Sequence, residues 1–140
     1  MSDGIVWTYK VSPNNFISAG EASSDVKNKL RQLGAPREVV RKVSIAMYEG
    51  EINMVIHAKG GTITVTVTED AVIMVLADVG PGIQDIEKAM QAGYSTAHED
   101  VRSLGFGAGM GLPNMKSNSD EMNIETELGV GTTVTMKVYI

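Results

Sequence analysis

The sequence predicts an α/β fold of the α+β kind: a two-layer sandwich with helices on one face of a mixed β-sheet. Residues 62–68 alternate threonine with isoleucine or valine, which is typical of a strand with one buried face. Two stretches, residues 19–33 and 36–57, carry apolar side chains at helical spacing. Strand patterns lie before and after these helices, and this order favours a sheet with helices packed on one face.

Length and composition restrict the class of protein. The chain has 140 residues, which predicts a single domain over residues 1–140. It has no cysteine, which excludes disulfides and is consistent with a cytoplasmic location. No stretch approaches the roughly 20 apolar residues of a membrane span, and the N-terminus does not resemble a signal peptide. A net charge of -5 without a basic tract argues against nucleic acid, so we expect proteins or a small ligand as partners.

The first half of the chain contains a strand followed by two helices. Residues 5–11 alternate and predict the first strand. Ser12-Pro13 resembles a helix start, so the first helix is expected to run from there to Gly34. Pro36 opens a second helix that ends before the turn at Gly60-Gly61.

The second half contains most of the predicted sheet. After residues 62–68 and a turn at Glu69-Asp70, the apolar run 71–77 predicts a central strand that is covered on both faces or largely enclosed. Two short helices, 83–90 and 112–119, are separated by a long loop over 91–108. The chain ends in two strands that turn at 129–131, and Thr132, Val134, Met136, Val138 and Ile140 are expected to share a face.

The second helix contains a polar pair, Glu49 and Asn53. Residues four apart lie on the same face of a helix, and Gly50 lies beside them. A carboxylate can accept a proton, and an amide oxygen can bind a hard cation such as Mg²⁺. Glu51 is two residues from Glu49 and points away, so only Glu49 shares the face of Asn53. The alternative interpretation is a solvated helix edge.

The segment "ADVGPGI" places Asp78 at the end of the apolar strand, before Gly80 and Gly82. A carboxylate in that position can accept hydrogen bonds from an exocyclic amine, and glycines let the backbone lie against a planar ring. This arrangement suits adenine. The alternative is a tight turn in which the Asp side chain satisfies its own backbone.

The segment "GFGAGMG" has glycine at 105, 107, 109 and 111. A helix that begins near Gly109 to Gly111 would direct its unpaired N–H groups into this loop, where they would attract the oxygens of a phosphate. The run is neither a Walker A motif, which ends in Gly-Lys-Ser/Thr, nor a Rossmann loop, which follows a first strand. A flexible linker is the alternative explanation.

Together and in this order, the Glu49/Asn53 pair, "DVGPG", "GFGAGMG" and "GVGTT" resemble the GHKL ATP-binding fold of DNA gyrase and the histidine kinases. The resemblance covers residues 36 to 140. It implies ATP and Mg²⁺ as cofactors, with Glu49 as general base, Asn53 as Mg²⁺ ligand and Asp78 as adenine anchor. It also implies an ATP lid over residues 93–108. The further nucleotide contacts that it implies are Gly80, Gly82, Gly107, Gly109, Met110, Gly111 and Thr132.

The short length and the segment "GMGLPNMKSNSDEMNIETELGVGTTV" are similar to one branch of that superfamily, the anti-sigma factors and serine kinases. This resemblance implies a serine/threonine kinase that phosphorylates a STAS-domain antagonist and also binds a sigma factor, with partner switching. The edge strand 5–11 would permit a homodimer. Two alternatives stay open: a nucleotide-gated binding module without phosphotransfer, and a structural domain with a glycine-rich loop. His57, His98 and Arg102 receive no role.

Overall fold

A computed structural model describes residues 4–13, 18–83, 86, 90 and 111–140 of the chain. The elements in this part are, in chain order, β1 (Ile5–Val11), α1 (Glu21–Gln32), α2 (Arg37–His57), β2 (Gly61–Val67), β3 (Ala71–Asp78), α3 (Gly111–Ser117), β4 (Glu121–Glu127) and β5 (Gly131–Tyr139). Ile86 is helical and accepts the backbone N–H of Met90 at 3.0 Å, as expected for the predicted helix 83–90. Ile83, the predicted first residue of that helix, is not helical, and its backbone N–H donates to Thr126 Oγ1 at 2.8 Å. Residues 84, 85 and 87–89, the loop 91–108 and the predicted lid lie outside the described residues.

The five strands that the structure describes form one sheet in the order β1-β2-β3-β5-β4. All four pairings between them are antiparallel, so the predicted mixed sheet is wrong for this part of the chain. The connection from β3 through α3 to β4 does return the chain in the same direction, as a helical crossover requires. However, β5 lies between β3 and β4, so these two parallel strands are not neighbours.

The strands place one apolar face toward the helices. Ile63 and Val65 of β2 are fully buried on that face, and the threonines that alternate with them occupy the other. β3 is the central strand, as predicted, and its helix-facing residues Val72 and Met74 are fully buried. Its other face is only half-buried, since no described element covers it. In β5 the face predicted from Thr132 to Val138 is buried, but Ile140 follows the strand and is 46% exposed.

α1 and α2 fill the space above the sheet with aliphatic and methionine side chains. Val26 and Leu30 of α1 meet Val43 and Met47 of α2, and all four are fully buried in one core cluster. Burying a side chain of this size contributes about 1.5–3 kcal/mol. α1 and α2 therefore form a rigid layer, and that layer fixes the position of α2 over β3.

α1 begins at Glu21, eight residues after the predicted start at Ser12-Pro13. β1 runs to Val11, and a Cβ on Gly60 would lie 2.6 Å from the Val11 carbonyl oxygen and 3.1 Å from the Pro13 ring, so this segment is held beside the sheet. The helix instead follows Gly20, which has the left-handed φ of 96° that favours glycine.

The first turn of α1 is capped by a side chain from α2. The Glu51 carboxylate accepts the backbone N–H groups of Gly20 at 2.9 Å, Ala22 at 3.3 Å and Ser23 at 3.0 Å. Glu51 is 97% buried, its exposure being 3%. Helix N-terminal N–H groups have no partner within their own helix, and the helix dipole favours a negative charge there. Glu51 thus joins α1 to α2.

Replacing Glu51 tests this cap. We expect Glu51→Ala to lower the free energy of unfolding by about 2–3 kcal/mol, because buried N–H donors lose their acceptor. Glu21→Ala, an exposed acidic residue in the same helical turn, is the control and should change the value by no more than about 0.5 kcal/mol. Urea denaturation measures both variants. Equal losses in the two would contradict the capping role.

Candidate functional site

The site is built around one face of α2. Gly50 lies where α2 crosses β3, and a Cβ there would overlap Leu76 Cδ2 and lie 3.1 Å from Met115 Cε of α3. A side chain at position 50 would require the ends of the Leu76 and Met115 side chains to shift, so glycine lets α2 lie close to both elements as they are packed. Glu49 and Asn53, one residue before and three residues after this contact, are therefore fixed beside α3, and both side chains are partly buried.

Asn53 lies directly against the start of α3. A Cβ on Gly111 would be 2.7 Å from Asn53 Nδ2 and 2.9 Å from Oδ1, so the missing side chain makes room for the Asn53 amide. This explains one of the four glycines in "GFGAGMG" by close approach. Gly107, Gly109 and Met110 lie outside the described residues, and their predicted contacts with phosphate stay predictions.

Glu49 has an environment suited to a proton acceptor. Burial raises the pKa of its carboxyl above the ordinary value, and a hydrogen bond from the side chain of Asn114 lowers it. The two effects oppose each other because burial disfavours the charged form and the hydrogen bond favours it. Asn114 was not identified in the sequence. The signal was available, since Asn114 lies three residues after Gly111 and so on the same face of α3.

Asp78 ends β3 and is joined to the last strand. Its Oδ1 accepts the backbone N–H of Thr132 at 2.9 Å, and the described residues form no hydrogen bond with Oδ2. Burial raises the pKa of the Asp78 carboxyl, and the hydrogen bond from Thr132 lowers it. Thr132 is itself buried, and its hydroxyl lies 2.9 Å from that of Thr126. The structure thus brings Asp78 and Thr132 together.

Glycines surround the backbone of Asp78 on both neighbouring strands. A Cβ on Gly61 of β2 would overlap the Ala77 carbonyl oxygen, and one on Gly131 of β5 would overlap that of Asp78. The side chain that Gly61 lacks would also lie 2.7 Å from Met54 Cε of α2. No local sequence pattern identifies Gly61 as a site residue, because its role depends on the pairing of β2 with β3.

Gly80 and Gly82 hold the loop after Asp78 against the protein. A Cβ on Gly80 would lie 3.2 Å from Ala58 Cα, and the Gly80 N–H donates to the Val130 carbonyl at 3.1 Å. Gly82 has φ +80°, and a Cβ there would be 2.8 Å from the Glu127 carbonyl oxygen. A Cβ on Gly80 would therefore point toward Ala58, and a Cβ on Gly82 would point toward the 127–130 turn. Gly80 and Gly82 shape the loop through these contacts. Their predicted contact with the adenine ring stays a prediction.

The predicted residues thus fall into two groups that are both attached to α2. Glu49, Asn53 and Gly111 lie where α2 meets α3, and Asp78, Gly80, Gly82 and Thr132 lie where β3 ends near the end of α2. Within the described part of the chain, no three His, Cys, Asp or Glu side chains are close enough to hold a metal. At the α2–α3 contact the Asn53 amide offers an oxygen of the kind that Mg²⁺ prefers, and its role as a metal ligand stays a prediction. None of the described helices is long and apolar enough to cross a membrane.

Comparison with known proteins agrees with this architecture. Residues 13–138 match the family model of the histidine kinase-like ATPase domain. An anti-sigma F factor from Caldanaerobacter subterraneus subsp. tengcongensis is 36% identical over 114 residues, covering 78% of this chain and 76% of the relative. An anti-sigma F factor from Thermoanaerobacter sp. strain X514 is 33% identical over 135 residues, covering 90% and 91%. The serine/threonine-protein kinase RsbT of Bacillus subtilis is 30% identical over 112 residues, covering 77% and 78%.

These matches confirm the predicted GHKL resemblance and its anti-sigma and serine kinase branch, and they extend the similarity from residue 36 back to residue 13. The α+β sandwich is the architecture expected for that family. The chain belongs to the histidine kinase-like ATPase family, in the branch that contains the anti-sigma F factors and the serine/threonine-protein kinase RsbT.

Proposed function

We propose that this chain is an ATP-dependent serine/threonine protein kinase that regulates a sigma factor by partner switching. The observation that carries the proposal is the contact between α2 and α3. There a partly buried carboxylate, Glu49, and an amide, Asn53, lie on one helix face against Gly111 and Asn114. Family membership supplies the ATP-binding class. The residues at this contact support phosphotransfer over a purely structural role, which would not need a proton acceptor there.

The chain's own residues fit ATP. Asp78 offers a carboxylate oxygen, Oδ2, that forms no hydrogen bond with the described residues, and an exocyclic amine is the donor that such an acceptor binds. Thr132 fixes the other oxygen and so fixes the direction of the carboxylate. Near the α2–α3 contact, the Asn53 amide would hold Mg²⁺ through Oδ1. When bound, ATP with Mg²⁺ supplies the phosphoryl group that is transferred to a serine or threonine hydroxyl.

Glu49 would accept or orient the proton of that hydroxyl. The Glu49 carboxyl must be deprotonated before it can accept a proton. A raised pKa makes the deprotonated carboxylate a stronger proton acceptor. Burial supplies the raised pKa, and the hydrogen bond from Asn114 holds the charged carboxylate in one orientation. Asn114 is therefore a positioning residue for Glu49 in this proposal.

The partners follow from the named relatives. Anti-sigma F factors are named for a sigma factor, and RsbT is named as a serine/threonine kinase. We propose a STAS-domain protein as the phosphoacceptor and a sigma factor as the second partner, in the cytoplasm. We also propose a homodimer through β1, which pairs only with β2 in the described sheet and exposes Ile5 and Val6 by 44% and 55%.

Asp78→Asn tests the adenine contact. Asn retains an acceptor for the Thr132 N–H but presents NH₂ donors in place of the second oxygen. We expect the affinity for Mg-ATP, measured by calorimetry, to fall about 10- to 100-fold, as for the loss of a charged hydrogen bond. Asp70→Asn makes the same change in the exposed turn before β3 and should leave the affinity unchanged. A wild-type protein that binds no ATP would sink the proposal.

Glu49→Gln separates a kinase from a nucleotide-gated module. We expect the variant to bind Mg-ATP like the wild type and to transfer phosphate at least about 100-fold more slowly, because a general base contributes that much. The assay follows labelled γ-phosphate into a STAS-domain protein of the same organism. Glu38→Gln, an exposed position on α2, should be fully active. If Glu49→Gln transfers phosphate at the wild-type rate, Glu49 is not the base.

The pH dependence of transfer tests the pairing of Glu49 with Asn114. Asn114→Leu removes the hydrogen bond that lowers the pKa of Glu49 and leaves the burial that raises it. The pKa of Glu49 should therefore rise further. On acidification, the transfer rate of the variant should begin to fall at a higher pH than that of the wild type. Rates measured across a pH series check this. An acid limb that does not move, or that moves to lower pH, contradicts the pairing.

A further inference from the structure

The Asn53 amide has one hydrogen-bond partner among the described residues, and it is a sulfur atom. Asn53 Nδ2 donates to Sδ of Met115 across 3.8 Å. Met115 belongs to α3 and is only 1% exposed, and its Cε reaches the position where Gly50 lacks a side chain. The sulfur is thus held between Gly50 and Asn53 of α2. It cannot move without disturbing the packing between the two helices.

Gly111 limits the same amide in a second direction. The position of its absent Cβ is 2.7 Å from Nδ2, 2.9 Å from Oδ1 and 3.1 Å from Cγ of Asn53. These distances show that a Cβ at position 111 would collide with the nitrogen and oxygen end of the amide. The missing side chain of Gly111 therefore leaves the room that this end of the amide occupies. Gly111 does not decide which end carries the oxygen, because both ends are about equally distant from it.

The Met115 sulfur does decide between the two ends. A thioether sulfur is a weak acceptor and never a donor, whereas the amide nitrogen is a donor and the amide oxygen an acceptor. When Nδ2 lies at the sulfur, its N–H has an acceptor, and Oδ1 lies on the side of the amide away from Met115. The reversed amide would put two electron-rich atoms together and would leave a buried acceptor without a donor.

We propose that Met115 is a positioning residue that directs Asn53 Oδ1 toward the nucleotide. The inference rests on the proposed function, in which Oδ1 is the protein ligand of Mg²⁺. Without the sulfur, no described residue would favour one orientation of the amide over the other. The reversed one presents N–H donors to a cation, which they cannot bind. Met115 should thus control how much Mg²⁺ strengthens ATP binding, without contacting the nucleotide.

The test uses Met115→Leu in the full chain. Leucine fills a similar volume without an acceptor, and exchanges of this kind are usually tolerated in a core. Met136→Leu is the matched control, because Met136 is also fully buried but lies in β5, where it pairs with Met74 and Met122. Circular dichroism and thermal unfolding first establish that both variants fold.

The first measurement is the side-chain NH₂ signal of Asn53 in the nucleotide-free protein, assigned by its loss in Asn53→Asp. We expect Met115→Leu to shift or split this signal and Met136→Leu to leave it unchanged. The second measurement is the ATP affinity by calorimetry, with Mg²⁺ and with a chelator. Met115→Leu should reduce the enhancement by Mg²⁺ about three- to tenfold, the size expected for one weak hydrogen bond. The affinity without Mg²⁺ should not change.

The outcomes separate this inference from the proposed function. If the wild type binds no ATP under either condition, the proposed function fails, and the Asn53 signal still tests the orientation. If Mg²⁺ strengthens ATP binding equally in the wild type, Met115→Leu and Met136→Leu, and the Asn53 signal is unchanged, the inference is overturned. Gly111→Ala, whose Cβ would collide with the Asn53 amide and displace it, is a second variant and should also lose the Mg²⁺ enhancement.

Discussion

The close approach of α2 to β3 and α3 is the contact on which the rest of the structure depends. Gly50 favours it, since a larger residue would require the ends of the Leu76 and Met115 side chains to shift. Because α2 lies this near the sheet, the α2 side chains close to Gly50 contact partners in three directions. Glu49 and Asn53 reach α3, Met54 reaches Gly61, and Glu51 reaches the start of α1. A single helix thus connects the candidate site to the core and to the first helix.

Glu49 and Glu51, two of the three glutamates of α2, show how position alone can separate chemistry from architecture. Glu49 is partly buried with one amide as its partner, so its charge is only partly compensated. Glu51 is almost fully buried, and three backbone N–H groups together with a helix dipole compensate its charge. Glu51 is therefore engaged in joining α1 to α2. Glu49 has no such structural task among the described residues, and burial raises its pKa, as suits a proton acceptor.

Much of the fold could be predicted because it depends on local patterns. The threonine alternation identified β2, the apolar run identified β3, and the spacing of Glu49 and Asn53 correctly placed both on one helix face. The sequence could not supply relations between distant segments. The cap of α1 joins Glu51 to residues 28 to 31 positions earlier, and no local pattern at Ser12-Pro13 reveals it. For the same reason the insertion of β5 between β3 and β4 was missed, and with it the antiparallel sheet.

The cap of α1 by Glu51 also bears on how the protein folds. An ordinary helix cap comes from the adjacent residue and can form as soon as the helix does. Here the capping group is about thirty residues away, so the first turn of α1 has its partner only after α2 has docked. Opening either helix alone would expose a buried carboxylate and leave N–H groups unpaired. α1 and α2 should therefore form and open as one cooperative unit, and the helix that carries the candidate catalytic pair shares the stability of that unit.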